Sequence, residues 1–510
     1  MWYIFFMIKE FVCELLCFFC SLTVEKNGFT SKIIHKSAIE ILLTPKYDCI
    51  MTKKLITLLT VLVGIHSFSQ TQRLLFGTPV EKINPTHGKI RCATTEYETY
   101  LQNEDASRNT AAFEQWIAPK VEAIKTQLLN GKSAATVVTI PVVVHVIHNG
   151  DAVGTNENIS DARVLSQITV LNQDFRRMVN TNGYNTNAVG ADIEVEFCMA
   201  QRKPDGTATN GIDRVNLGTA SWATESSVEG TLKPNTIWDP TQYFNIWVCA
   251  FSTSTSAELY GVLGYAQFPY GSGLSGLSGV TNTATTDGVI IDYRCFGSSQ
   301  IAPGSYYTDY DLGRTATHEI GHCFGLRHIW GDNSSCTVNT ADSAKDYCPD
   351  TPAAANENYD CANTYDSCPA ATGNDMTENY MDYTNDSCMN IFTLNQKARI
   401  LAVIQNSPRR NTLPSSQACL APLSRSEFEL FENLKIYPNP AQEYAIINIS
   451  SGTDLPDAYQ VFNALGQLVV EKTIYNSTDL TIPTSEWESG VYFVKIIKQN
   501  SSKTLQLLKK

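Results

Sequence analysis

Apolar residues take up a helical rhythm at Phe113, Trp116, Ile117, Val121, Ile124 and Leu128, spaced three and four apart, which predicts an amphipathic helix. Near residue 136 the pattern changes. Val137-Val138-Thr139-Ile140-Pro141-Val142-Val143-Val144-His145-Val146-Ile147 is apolar almost without a break, as a central strand covered on both faces must be. His145 inside this run reads as a core histidine. Val164, Leu165, Ile168, Leu171 and Phe175 return to helical spacing behind Asp161, predicting a long helix packed on a sheet. Further strands are expected at 193–199, 244–249, 264–268 and 288–293, with a closing helix at 393–405. The Gly/Ser/Thr-rich stretch 271–286 reads as a loop near the cleft.

Past residue 431 the texture is purely strand-like, with runs at 444–449, 458–462, 468–472 and 491–497 separated by turns such as Gly466 and Gly490. The fold class read from this order is α/β (α+β), a twisted mixed sheet with two long helices, followed by a C-terminal all-β sandwich. The expected segments are 70–134 ahead of the main domain, the main domain at 135–410, a linker at 411–430 and the β domain at 431–510.

The start of the chain carries a separate signal. Met51-Thr52-Lys53-Lys54 and the apolar run 55–65 form a charged and then a short hydrophobic region, and Ser67-Phe68-Ser69 places small residues before a cut ahead of Gln70. Residues 51–69 therefore read as a signal peptide, and 1–50 as upstream sequence outside the translated protein. No other segment reads as transmembrane. Export permits disulfides, and the ten cysteines from Cys198 to Cys419 are an even number, which singles out Cys92 as the free thiol. With 38 basic against 51 acidic residues and no basic cluster, nucleic acid and anionic membrane are disfavoured as partners.

The chemistry concentrates in Thr317-His318-Glu319-Ile320-Gly321-His322-Cys323-Phe324-Gly325-Leu326-Arg327-His328. Residues four apart share a helix face, so His318 and His322 can offer two imidazoles to one ion. Gly325 tolerates positive φ, ends the helix and turns the chain so that His328 becomes a third ligand. Three ligands with one open position describe catalytic zinc, and Glu319 is placed to act on a metal-held water without ligating. Upstream, Arg91-Cys92-Ala93-Thr94 holds a lone cysteine whose thiolate can fill the open position and keep the site latent. Asp346, Asp350 and Thr351, with Asp342 close by, offer hard oxygen ligands suited to calcium.

The motif, with Asn379-Tyr380-Met381-Asp382-Tyr383 and Cys388-Met389-Asn390-Ile391-Phe392-Thr393, resembles the metzincin metalloproteases. Within them it is similar to the pappalysin family in its cytophagalysin branch, over about 140–407. The resemblance implies a secreted zinc endopeptidase acting on protein substrates and made as a zymogen. It implies Met381 as an apolar floor under the zinc, and Tyr383 as a donor to the developing oxyanion or an alternative metal ligand. It also implies calcium in the 346–351 loop and the pairs Cys336–Cys368 and Cys361–Cys388, although spacing alone leaves connectivity open. Relatives carry Arg-Cys-Gly-Thr where this chain has Ala93. Ser387 stands where some relatives place an acidic residue that selects basic side chains, which argues against that preference here. Tyr437-Pro438-Asn439-Pro440, Asn463-Ala464-Leu465-Gly466-Gln467 and Gly490-Val491-Tyr492-Phe493, ahead of Lys509-Lys510, resemble the type IX secretion sorting domain, which implies release or surface attachment after outer-membrane export. The competing class is an inactive adhesin on the same scaffold; a zinc amidase is a third.

Overall fold

The computed structural model describes residues 73–106, 108–130, 137–269, 284–421, 434–449, 455–498 and 501–510. The expected leader (1–50 and 51–69), most of the 271–286 loop and part of the 411–430 linker lie outside them.

Two short strands, β1 (Leu74–Leu75) and β2 (Thr78–Pro79), precede helix α1 (Thr94–Glu104) and helix α2 (Thr110–Leu129). The long strand β3 (Val138–His148) then forms the spine of a six-stranded sheet. Its first half pairs with β4 (Val195–Met199) and its second half with β5 (Ile212–Asn216). Its other edge takes β6 (Phe244–Cys249), and β7 (Gly264–Ala266) and β8 (Val289–Asp292) complete the order β4-β3-β6-β8-β7. All pairings are parallel except β7 with β8, which leaves β7 as an antiparallel edge strand. The side chains of β3 explain its unbroken apolar run. Ile140, Val142, Val144 and Val146 enter the core on one face, and Ile147 a second core on the other. β5, with its mixed sequence IDRVN, carries no apolar signal and was not expected.

The first core is closed by α3 (Asp161–Phe175), α4 (Arg314–Cys323) and α5 (Leu394–Asn406). Ser160 caps α3 and Thr393 caps α5 through a reciprocal box with Gln396, which fixes where both begin. The second long helix, expected to carry the metal motif, is the ten-residue α4. The apolar face of α2 does not pack apart from the main domain: Phe113, Ile117, Val121 and Ile124 share its core. Among them Glu114 is buried and paired with Arg327 and Arg399.

Residues 434–507 have a core of their own, between a three-stranded sheet of β9 (Lys435–Tyr437), β10 (Tyr444–Asn448) and β13 (Thr481–Pro483) and a four-stranded sheet. The latter is β11 (Ala458–Asn463), β12 (Leu468–Thr473), β14 (Gly490–Lys498) and β15 (Ser501–Lys509). The expected all-β sandwich is present. Among the described residues no helix is long and apolar enough to cross a membrane.

Among the described residues three disulfides staple the chain. Cys336–Cys368 and Cys361–Cys388 match the pairs the resemblance implied, and Cys198–Cys419 ties the end of β4 to the start of the linker. Cys92 is not singled out as parity suggested. Cys249, Cys295, Cys323 and Cys348 are also free and buried, so Cys92 is one of five unpaired thiols among the described residues. Small thiols pack like small apolar groups, and parity does not detect them.

Candidate metal centre and active site

Helix α4 is held at both ends. Asp386 accepts the backbone N–H groups of Leu312 and Arg314 at its start, and Asp174 of α3 receives Thr317 Oγ1 at 2.7 Å and Arg314 at 3.1 Å. At its end Gly325 adopts φ +87°, with Gly325 N–H donating to His322 O and Leu326 N–H to Gly321 O, the paired bonds of a Schellman stop. This turn brings His328 back to the face of α4 that carries His318 and His322. Gly321 is needed for a different reason: a Cβ there would lie 2.5 Å from Met381 Sδ, so the methionine lies directly against the helix.

The three imidazoles are buried and their orientations are fixed from behind. His318 Nδ1 lies 2.7 Å from Tyr380 O, His322 Nδ1 2.8 Å from Leu326 O, and His328 Nδ1 2.6 Å from Asp332 Oδ1. Those partners are all acceptors, so each Nδ1 carries the proton and each Nε2 presents a lone pair. The Nε2 atoms converge: His322 is 3.1 Å from both His318 and His328. Three buried acceptors aimed at one another, with no donor among them, are unfavourable unless a cation sits at their focus. A tetrahedral ion with Zn–N near 2.05 Å requires about 3.3 Å between ligand nitrogens. The residues fit zinc. Burial, and then the neighbouring imidazoles, hold His318 well below its usual range, and burial brings His322 down to about 3, so both are neutral ligands.

Cys92 Sγ completes the set: with the three histidines it forms a group whose ligand atoms all lie within 4.8 Å of one another. The chain reaches this point alongside residues 261–264, where the free edge of β7 begins. Ile90 N donates to Gly261 O, Leu263 N to Ile90 O, and Ala93 N to Gly264 O, in parallel register. Ala93 is fully buried. Glu319 is fully buried beside the cysteine, its Oε2 3.4 Å from Cys92 Sγ and 2.7 Å from Thr94 Oγ1, which in turn accepts Ala266 N–H at 2.8 Å. Burial raises the Glu319 carboxyl to about 8, against the opposing pull of the Thr94 and Cys92 hydrogen bonds. Tyr383 directs its hydroxyl to the Cys92 carbonyl at 3.4 Å, with its ring against His328 and Trp330.

Other expected residues are less closely grouped. Thr351 Oγ1 donates to Asp346 at 2.9 Å and Asp346 adjoins Asp342, but Asp350 faces away and accepts Thr393 Oγ1 and Asn395 N–H at the start of α5. His145 is a core residue held between Asp213 and Asn245. Ser387 is exposed, whereas the residue before it, Asp386, is buried and pairs with buried Arg91 at 2.8 Å. The motif reading also missed Thr94 and Asp332. Asp332 stands four residues after His328, a spacing that could have suggested a carboxylate behind a metal-bound histidine.

Residues 230–405 match the family model described as pregnancy-associated plasma protein-A, and residues 435–510 match the secretion system C-terminal sorting domain. The chain is 34% identical over 272 residues to an extracellular metalloprotease of Verticillium alfalfae, covering 52% of this chain and 76% of that one. It is 31% identical over 274 residues to one of Pyricularia oryzae, covering 53% and 77%. Among solved structures it is similar to Tannerella forsythia mature mirolysin in complex with a cleaved peptide (39% identity, 55% and 97% coverage, TM-score 0.45). It is also similar to a mutant of Tannerella forsythia promirolysin (35% identity, 62% and 95% coverage, TM-score 0.46). The chain belongs to the pappalysin-like family of zinc metalloproteases, and it carries a type IX secretion sorting domain by which it is exported.

Proposed function

We propose that this chain is the latent precursor of a zinc endopeptidase in which His318, His322 and His328 hold the metal, Cys92 blocks it and Glu319 is the general base. One observation carries the reading: three Nε2 lone pairs and one thiol converge beside a buried carboxylate. Bound zinc supplies an acidified water and a Lewis acid for the scissile carbonyl. Glu319 takes the proton from that water and hands it to the leaving nitrogen. Tyr383, in reach of the Cys92 carbonyl, donates to a substrate carbonyl placed there instead. Met381 limits the space under the histidines, and the Gly325 turn delivers the third of them.

Latency has two parts. Cys92 fills the metal's open position, and Thr94 occupies the carboxylate while bridging it to the edge of β7. Cys92→Ala should raise hydrolysis of a quenched peptide by unprocessed precursor at least roughly tenfold, since water can then enter the metal position. A mutant precursor as silent as wild type would remove the switch.

Arg91 enters the cleft one residue before the blocking thiol and pairs with Asp386, so the pocket it fills suits a basic side chain. A cleavage profile of processed enzyme should show enrichment of Arg or Lys beside the scissile bond; a profile without it would remove this assignment.

Calcium is proposed at Asp342, Asp346 and Thr351. Burial and then Asp342 drive the Asp346 carboxyl well above its usual range, and two adjoining acids of this kind are stabilised by a shared proton or a cation. Asp350, committed to α5, would join only by turning. After EGTA and restoration of zinc alone, added calcium should raise the melting temperature by roughly 4 °C or more. No further rise would exclude the site.

A further inference from the structure

Tyr97 of α1 is fully buried on the face of the sheet away from the metal, in a pocket whose polar end is unusually elaborate. Its hydroxyl donates to Glu229 Oε2 at 2.5 Å and lies 3.2 Å from Thr286 Oγ1. Glu229 Oε1 is already held by the Tyr265 hydroxyl and by the ammonium of fully buried Lys233, each at 2.7 Å. The Tyr97 ring lies 4.9 Å from Phe76, 5.2 Å from Tyr265 and 5.0 Å from the Lys233 ammonium. Phe76 and Tyr97 both belong to the segment ahead of α2, whereas Glu229, Lys233, Tyr265 and Thr286 belong to the main domain.

We propose that departure of this segment uncovers a substrate subsite, formed by Glu229, Lys233, Tyr265 and Thr286, that selects a tyrosine side chain. The proposal rests on the precursor being latent, with a segment that leaves on activation. With Tyr97 gone, Glu229 Oε2 faces the opening with its lone pairs free, while Oε1 stays pinned by Tyr265 and Lys233. A part-buried carboxylate oxygen that has lost its donor favours a ligand that restores one, and a phenol does so where a benzyl group does not. Position supports a substrate as the occupant. Tyr265 lies on β7, whose free edge takes Ala93 N–H at Gly264 O and Thr94 Oγ1 at Ala266 N, just past the pairing of Ile90 with 261–263. That edge is open to an extended peptide once residues 90–94 leave. Side chains opposite one another on paired strands point to the same face, so a peptide residue opposite Tyr265 is directed towards Glu229.

The test uses enzyme freed of residues 73–105 and two independent readouts. In matched peptides carrying tyrosine or O-methyltyrosine at each position around the scissile bond, one position should favour tyrosine by roughly tenfold in kcat/KM. In crystals of the same enzyme soaked with N-acetyltyrosinamide, the ring should lie on Tyr265 with its hydroxyl on Glu229, and N-acetylphenylalaninamide should leave the pocket unfilled. Equal cleavage of both peptide series at every position would overturn the subsite. So would a pocket that admits only the released prosegment fragment, which would make it an anchor for that fragment. If the freed enzyme cleaved nothing, the latency reading would fall, and the soaked crystals would still decide the pocket.

Discussion

Glu319→Gln should leave close to one zinc per chain while hydrolysis by processed enzyme falls at least roughly a thousandfold. Removal of a general base costs about 10² to 10⁴ in rate, and this carboxylate serves both proton transfers. The substitution keeps the shape, and an amide can still meet Thr94 and Cys92, so the fold around the site is retained. Metal content by mass spectrometry and kcat on one fluorogenic peptide check it together. Retained turnover would refute the assigned role, whereas loss of metal would mean that the carboxylate helps to build the site.

The largest expected effect on stability lies elsewhere. Glu114 is buried and receives Arg399 through both terminal guanidinium nitrogens, at 2.8 and 2.6 Å, and Arg327 at 2.8 Å. Its pKa is lowered although burial opposes this, because Arg399 and then Arg327 favour the charged form. Stability from such a group is present above the unfolded carboxylate pKa and is lost as pH falls through the lower folded value. Glu114→Ala leaves the buried Arg399 and the part-buried Arg327, next to His328, without their acid. Breaking a buried pair in this way costs about 3–5 kcal/mol, or roughly 10 °C in melting temperature for a domain of this size. Glu122→Gln on the same helix, where the carboxylate is exposed and paired with Lys125, should change the melting temperature by roughly 1 °C or less. Equal shifts for the two variants would show that Glu114 is not a structural counter-charge.

Features set by local spacing were legible in the sequence, and features set by distant contacts were not. The helix i,i+4 relation and one glycine suffice to place His318, His322 and His328 together, so the centre could be read from spacing. The unbroken apolar run of β3 and the periodicity of α3 were equally local. Arg91, by contrast, meets Asp386 across 295 positions, and Thr94 meets Glu319 across 225. Nor could the sequence show that Asp386, the residue before exposed Ser387, turns inward to meet Arg91. Asp350 was grouped with Asp346 because they are close in sequence, but a helix start 43 residues on competes for its carboxylate. Composition places a boundary near residue 134, yet α2 shares the core of the main domain, because an amphipathic helix does not record in its sequence which core it joins. Buried free cysteines defeated parity for a similar reason, since pairing depends on geometry and not on count.

The central claim is a single metal position shared by three imidazoles and one thiol. An anomalous-difference map at the zinc edge, from crystals of the intact precursor, tests it most directly. One dominant peak is expected about 2.0–2.1 Å from Nε2 of His318, His322 and His328 and about 2.3 Å from Cys92 Sγ. A strong zinc peak elsewhere, or none among these histidines in zinc-replete protein, would contradict the account.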